Sequence, residues 1–99
     1  MNNQKVTVTA RIKVKSGLED KFKQEYLPIV KLTLEEKGCI NYNLHQSQNE
    51  PSVFMLYENW ESKEVLDQHL QMDYMKAISE KASEFLAEPV EMNLWEPVS

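Results

Sequence analysis

The residues best equipped for chemistry concentrate between Gly38 and Gln71. Both histidines, His45 and His69, lie there with the only cysteine, Cys39, and with Tyr42, Phe54, Tyr57 and Trp60. His69 is the strongest candidate for moving protons, because an imidazole titrates near neutrality and can both accept and return one. Glu58 falls in a run otherwise apolar enough to be buried, and a buried carboxylate needs a partner. Asn41, Tyr42, Asn43 and His45 are further polar groups that two neighbouring strands could aim inward. Trp60 has two readings, a core or interface tryptophan or the wall of a pocket for a flat aromatic molecule. For His69 and the other polar groups the plain alternative is a satisfied structural hydrogen bond.

Other chemistries are missing from the pattern. The only glycines are Gly17 and Gly38, and neither sits in a glycine-rich loop that could cradle phosphates or a dinucleotide. No CxxC, HExxH or nucleophile-elbow motif occurs. Cys39, His45 and His69 match no metal-ligand spacing, so no metal is expected. Tyr26, Phe22 and Met55 read as core, and Glu19-Asp20, Glu35-Glu36 and the acidic run from Glu80 to Glu88 read as solvated helix faces.

These residues need elements to position them. Val6, Val8, Ala10, Ile12 and Val14 alternate with polar residues from Lys5 to Lys15, the period of a strand with one buried face. Ser16-Gly17-Leu18-Glu19 fits a capping box, and Leu18, Phe22, Tyr26, Ile29, Val30 and Leu34 then recur at helical spacing. Pro28 predicts a kink near Tyr26, and Gly38 supplies a left-handed C′ position. A second strand carries Ile40, Tyr42 and Leu44 on one face. A third, Val53 to about Glu61, is apolar at nearly every position up to Tyr57, which predicts burial on both faces. Ser62 is an N-cap for a short helix with Val65, Leu66, His69 and Leu70. A further helical piece follows with Tyr74, Met75, Ile78, Phe85 and Leu86, and Val90, Met92 and Leu94 mark a last strand.

Ninety-nine residues make one domain, spanning 1–99. The order strand, helix, two strands, helix, strand predicts an α+β, ferredoxin-like split βαβ fold with a four-stranded antiparallel sheet and helices on one face. A central strand apolar on both sides leaves the other face to be covered, and a second copy of the chain is the expected cover, giving a homodimer. A net charge of -5 with scattered basic residues disfavours nucleic-acid or anionic-membrane partners. One cysteine allows no intrachain disulfide. Met1 to Gln4 shows no apolar leader segment and no run is long enough to span a bilayer, so a cytoplasmic location is expected.

The segments Glu35-Glu36-Lys37-Gly38-Cys39-Ile40-Asn41-Tyr42, Tyr57-Glu58-Asn59-Trp60-Glu61-Ser62 and His69-Leu70-Gln71, extended by Met75-Lys76-Ala77 and Ser79-Glu80, resemble the antibiotic-biosynthesis monooxygenase superfamily. The likeness is to its small quinol-monooxygenase-like members and is strongest from Glu35 to Glu80. It implies a dimeric α+β barrel that oxidises a quinol or other electron-rich aromatic with dioxygen and no bound flavin, haem or metal. By the same resemblance, Trp60 and Tyr42 would line the substrate pocket and His69 would be the base or a hydrogen-bond partner; Glu58 and Asn41, as polar groups of the neighbouring strands, are the further expected substrate contacts.

Departures narrow the subclass. At the positions where haem-degrading relatives carry Asn, Trp and His, this chain has Ala10, His69 and Ser79. Around Trp60, the Asn, Tyr and Arg of aromatic-polyketide relatives are replaced by Leu56, Leu66 and Glu80. An isomerase of small phosphorylated metabolites, with His69 shuttling a proton, is an alternative on the same fold, although Asp73 or Tyr74 stands where relatives have a second histidine. A non-catalytic dimer that binds a small molecule is another.

Overall fold

The structure, a computed structural model, describes residues 4–99; residues 1–3, most of the polar start noted above, lie outside the described residues. Its elements are β1 (Val6–Lys13), α1 (Glu19–Leu34), β2 (Cys39–Gln46), β3 (Val53–Trp60), α2 (Lys63–Leu70), α3 (Asp73–Glu80), α4 (Ala82–Phe85) and β4 (Glu91–Trp95). The strands form one antiparallel sheet in the order β2-β3-β1-β4, the expected ferredoxin-like arrangement. No helix among the described residues is long and apolar enough to cross a membrane.

Strand alternation decides which side chains meet the helices. Val8, Ala10 and Ile12 of β1 and Phe54, Leu56, Glu58 and Trp60 of β3 are buried on the helix side. From α1, Phe22, Tyr26, Ile29 and Thr33 are buried against them, at spacings of four, three and four that follow one helical stripe. Phe22 anchors the far end, its ring centroid 4.9 Å from Phe54 and 6.0 Å from Phe85. A strap after α4 is stitched to the end of β1, with Lys15 N donating to Phe85 O and Ala87 N to Lys13 O.

Several expectations are corrected. Ser16 does not cap α1; Leu18 holds the N-cap position without a side-chain bond, and the Glu19 carboxylate accepts from Gly17 N at 2.9 Å. Pro28 lies inside α1, which continues to Leu34; the Leu34 side chain is exposed, not buried, and Thr33 takes the buried place instead. Gly38, at φ +94°, lies beyond the helix cap at Glu35, and a Cβ there would come within 2.9 Å of Val65. Its glycine therefore lets the turn into β2 pass close under α2 as well as adopt positive φ. A bulge between Cys39 and Asn41 turns Ile40 out to solvent, so Ile40 does not share the buried face of Tyr42. Val53 to Tyr57 is not buried on both sides, because Met55 and Tyr57 are exposed on the face away from the helices. The helical piece after Asp73 is two helices, not one, and Glu36 is not solvated.

Candidate functional site

A cavity of about 240 Å³ lies between the sheet, α1 and the α3–α4 layer. Ile12, Leu56, Phe22, Met75, Ile78 and Phe85 give it apolar walls, and its polar lining is chiefly Tyr26, Tyr42, Glu58 and His69. No Lys or Arg is among the described lining residues. The volume is below the roughly 300–1,000 Å³ common for small-molecule pockets, which suits one or two fused rings.

His69 reaches this wall because Ser62 starts α2 where β3 ends. The Ser62 side chain accepts from Val65 N at 3.3 Å, and the helix then turns Leu66 and His69 onto its buried face. His69 is 1% exposed, with Nδ1 2.8 Å from Glu36 Oε2. The same carboxylate oxygen accepts from the Tyr74 hydroxyl. An ionised carboxylate can only accept, so Nδ1 carries hydrogen and Nε2 is the nitrogen left to take a proton from a bound molecule. Desolvation, and then the bond to Glu36, push Tyr74 up to about 12, so it stays a donor at neutral pH. Glu36 thus ties together the end of α1, the end of α2 and the start of α3.

Trp60 is fully buried and does not line the cavity. Its ring lies 4.7 Å from the His69 ring, and its Nε1 donates to Glu58 Oε1 at 2.9 Å. It is a backing plate for both titratable groups. Burial raises Glu58 to about 7, with the indole N–H opposing that rise in part. Tyr42, 5.4 Å from His69 ring to ring, is 2.6 Å from Tyr26 hydroxyl to hydroxyl. Burial lifts Tyr26 to about 12 and Tyr42 further, so both remain neutral phenols, one donating to the other and the pair keeping one O–H to offer.

The sequence-derived candidates therefore divide. His69, Glu58 and Tyr42 converge on the cavity, and Trp60 stands directly behind them. Asn41 is on the opposite face of the sheet, where it accepts from Asn59 Nδ2 at 2.8 Å and donates to Asn43, so it is not part of this cavity. His45 is exposed beside the Met55 carbonyl and does not line the cavity. Glu36 and Tyr26 were read as surface and core, yet both hold site groups. Glu36 continues the Phe22-Tyr26-Ile29-Thr33 stripe by three more residues, and that spacing is the signal that marks it as inward. Among the described residues, no group of three His, Cys, Asp or Glu side chains is placed to hold a metal ion.

The sequence model of the antibiotic biosynthesis monooxygenase family matches residues 5–81. The protein sll1783 of Synechocystis sp. is 29% identical over 90 residues, which are 91% of this chain and 61% of that protein, so the chain spans about three fifths of its length. The probable quinol monooxygenase YgiN of Escherichia coli K12 is 29% identical over 99 aligned positions, covering 90% of this chain and 92% of that one. Among solved structures, a conserved protein from Methanosarcina mazei Go1 superposes with a TM-score of 0.89 at 30% identity, covering 95% of this chain and 93% of its own.

Proposed function

The chain belongs to the antibiotic biosynthesis monooxygenase family, and from that premise we propose that its cavity oxidises a quinol-like or other electron-rich aromatic molecule with dioxygen, using no bound flavin, haem or metal. The observation that carries this reading is His69, oriented through Nδ1 by Glu36 on the wall of a small, mostly apolar cavity. The name of the Escherichia coli relative supports a quinol as the substrate class.

The chemistry follows from the substrate. A phenolic ring that loses a proton becomes electron-rich enough to pass electrons to dioxygen itself. The protein supplies orientation, exclusion of water and a proton acceptor. His69 Nε2 takes the hydroxyl proton, and ring contact with Trp60 limits the tilt of the imidazole. Tyr42 and Glu58 hydrogen-bond the substrate oxygens, and the Met75, Ile78 and Phe85 side shields the ring. A quinol brings its own two reducing equivalents, so one oxygen atom can enter the ring and the other leave as water with no added reductant.

Proton-shuttling isomerisation of a phosphorylated metabolite is the second reading. A phosphate needs a cation or a ring of amide donors; the described lining holds neither Lys nor Arg, and it does hold Glu58. That observation favours the aromatic substrate. We further propose that a second copy of the chain covers the far sheet face, on which Met55, Tyr57 and Trp95 are exposed. A monomer-sized particle by light scattering at micromolar concentration would refute the dimer.

Isotopic oxygen tests the oxygenase reading. Turnover of a reduced naphthoquinone under labelled dioxygen is expected to leave one labelled atom in the ring product, formed faster than in the protein-free control. Product labelled only from water would exclude an oxygenase.

A further inference from the structure

Resting on the oxygenase reading above, we propose that Glu58 is a second proton acceptor of the cavity, which fits the site to aromatic diols that give up two hydroxyl protons rather than to monohydroxy aromatics. Glu58 occupies the middle of the sheet floor, paired across the strands with Val8 on one side and Tyr42 on the other. Trp60 Nε1 occupies one carboxyl oxygen, the Val8 side chain has no donor to offer, and the Tyr42 hydroxyl lies against Tyr26 and makes no bond to Glu58 among the described residues. The carboxyl group lines the same cavity as His69. Both groups rest on one indole, Glu58 by its hydrogen bond and His69 by ring contact. The space in front of Trp60 is therefore bordered by two bases, not one.

The groups around Glu58 leave it able to work in both directions. Tyr42 and Cys39 from β2, Tyr26 from α1 and His69 from α2 are the titratable neighbours, and no Lys or Arg is among the described cavity residues. With burial holding Glu58 near 7, the side chain can take a proton and return it close to neutral pH.

The step balances as follows. The two hydroxyl protons of the diol pass to His69 and Glu58. Dioxygen from solution forms a C–O bond with a ring carbon of the resulting dianion, giving a ring-bound peroxide. The O–O bond breaks as that carbon loses its hydrogen, whose proton ends on the remaining oxyanion of the product. The distal oxygen leaves as water with the two protons returned by His69 and Glu58. One diol and one dioxygen give one hydroxyquinone and one water, and all four electrons come from the diol.

Glu58→Gln keeps an acceptor for the Trp60 indole and cannot accept a proton. With reduced menadione as the probe, kcat is expected to fall about 100-fold with KM within about twofold, and the kcat–pH profile to lose one of its ionisations. Turnover of 4-methoxy-1-naphthol, which has a single hydroxyl proton to give up, is expected to fall less than that of the diol. An unchanged kcat with an unchanged pH profile for the diol overturns the proposal. Infrared spectra of the parent protein provide a readout independent of turnover. A protonated-carboxyl carbonyl band absent from the Glu58→Gln spectrum should fade as pH rises through neutrality, and should respond to unreactive 1,3-dihydroxynaphthalene more than to its dimethyl ether. Such a band without oxygen uptake would leave the Glu58 assignment standing and remove the oxygenase reading. Absence of the band, or indifference to the diol, would remove the assignment whatever the oxygen result.

Discussion

On the helix-covered face of the sheet, one cross-strand row reads Val8, Glu58 and Tyr42; one residue along, on the opposite face, the row reads Thr7, Asn59 and Asn41. The far row satisfies itself. Thr7 Oγ1 donates to Asn59 Oδ1 at 2.6 Å, and Asn59 Nδ2 donates to Asn41 Oδ1 at 2.8 Å. The near row does not, since among the described residues Glu58 is buried with the Trp60 indole as its one side-chain donor. Polar groups that complete one another across strands stiffen a sheet. A buried carboxyl group left short of partners costs stability, and that shortfall is a mark of function. The same residue classes thus do structural work on one face and border the cavity on the other.

The harshest test of this contrast is deletion of an aromatic from each face. Trp60→Ala should cost about 3–5 kcal/mol, by loss of a fully buried indole and the cavity left behind. Tyr57→Ala, on the far face, should cost under about 1 kcal/mol in an isolated chain. Urea denaturation at several protein concentrations measures both. A larger loss at Tyr57 that depends on concentration would assign that face to the dimer contact proposed above.

Next in size is the pH dependence that Glu58 imposes. Its folded-state pKa of about 7 lies above the ordinary 4.5, so the folded chain holds the proton more tightly than the unfolded one. Stability is then unaffected below about pH 4.5, falls as pH rises toward 7 and levels off above it. The parent protein should therefore lose about 3 kcal/mol relative to Glu58→Gln across that window. A difference that stays flat with pH would mean that the near row is as well satisfied as the far one.

Glu36→Gln probes the other held group. Replacing the carboxylate removes the charge that fixes the His69 tautomer, so kcat should fall about tenfold or more with KM little changed. An unchanged kcat would make Glu36 a structural strut only. The smallest effect is expected from Asn41→Ala on the far face. It should alter stability by about 1 kcal/mol or less and leave kcat unchanged, checked by thermal melts and steady-state rates. A selective loss of activity would move Asn41 back among the substrate contacts.

Much of this was legible in the order of residues. Strict alternation placed Val8, Ala10 and Ile12 on one face, and Ser62 announced the helix that carries His69. The misreadings have local physical causes. Alternation alone put Ile40 with Tyr42, but one extra residue at the bulge reverses the side it faces. Asn41 was grouped with Tyr42 as a polar residue of the same strand, although neighbouring positions on a strand point apart. Glu36 was assigned to solvent by its charge, although its helical spacing pointed inward. The covering of the far face depends on molecules beyond one chain, and residue order only raises the question.

The account stands or falls on oxygen uptake with a reduced naphthoquinone, followed for the parent protein, His69→Ala and a protein-free control. It predicts uptake by the parent protein well above the control and a fall of about 100-fold or more in His69→Ala. A parent rate no greater than autoxidation would contradict it.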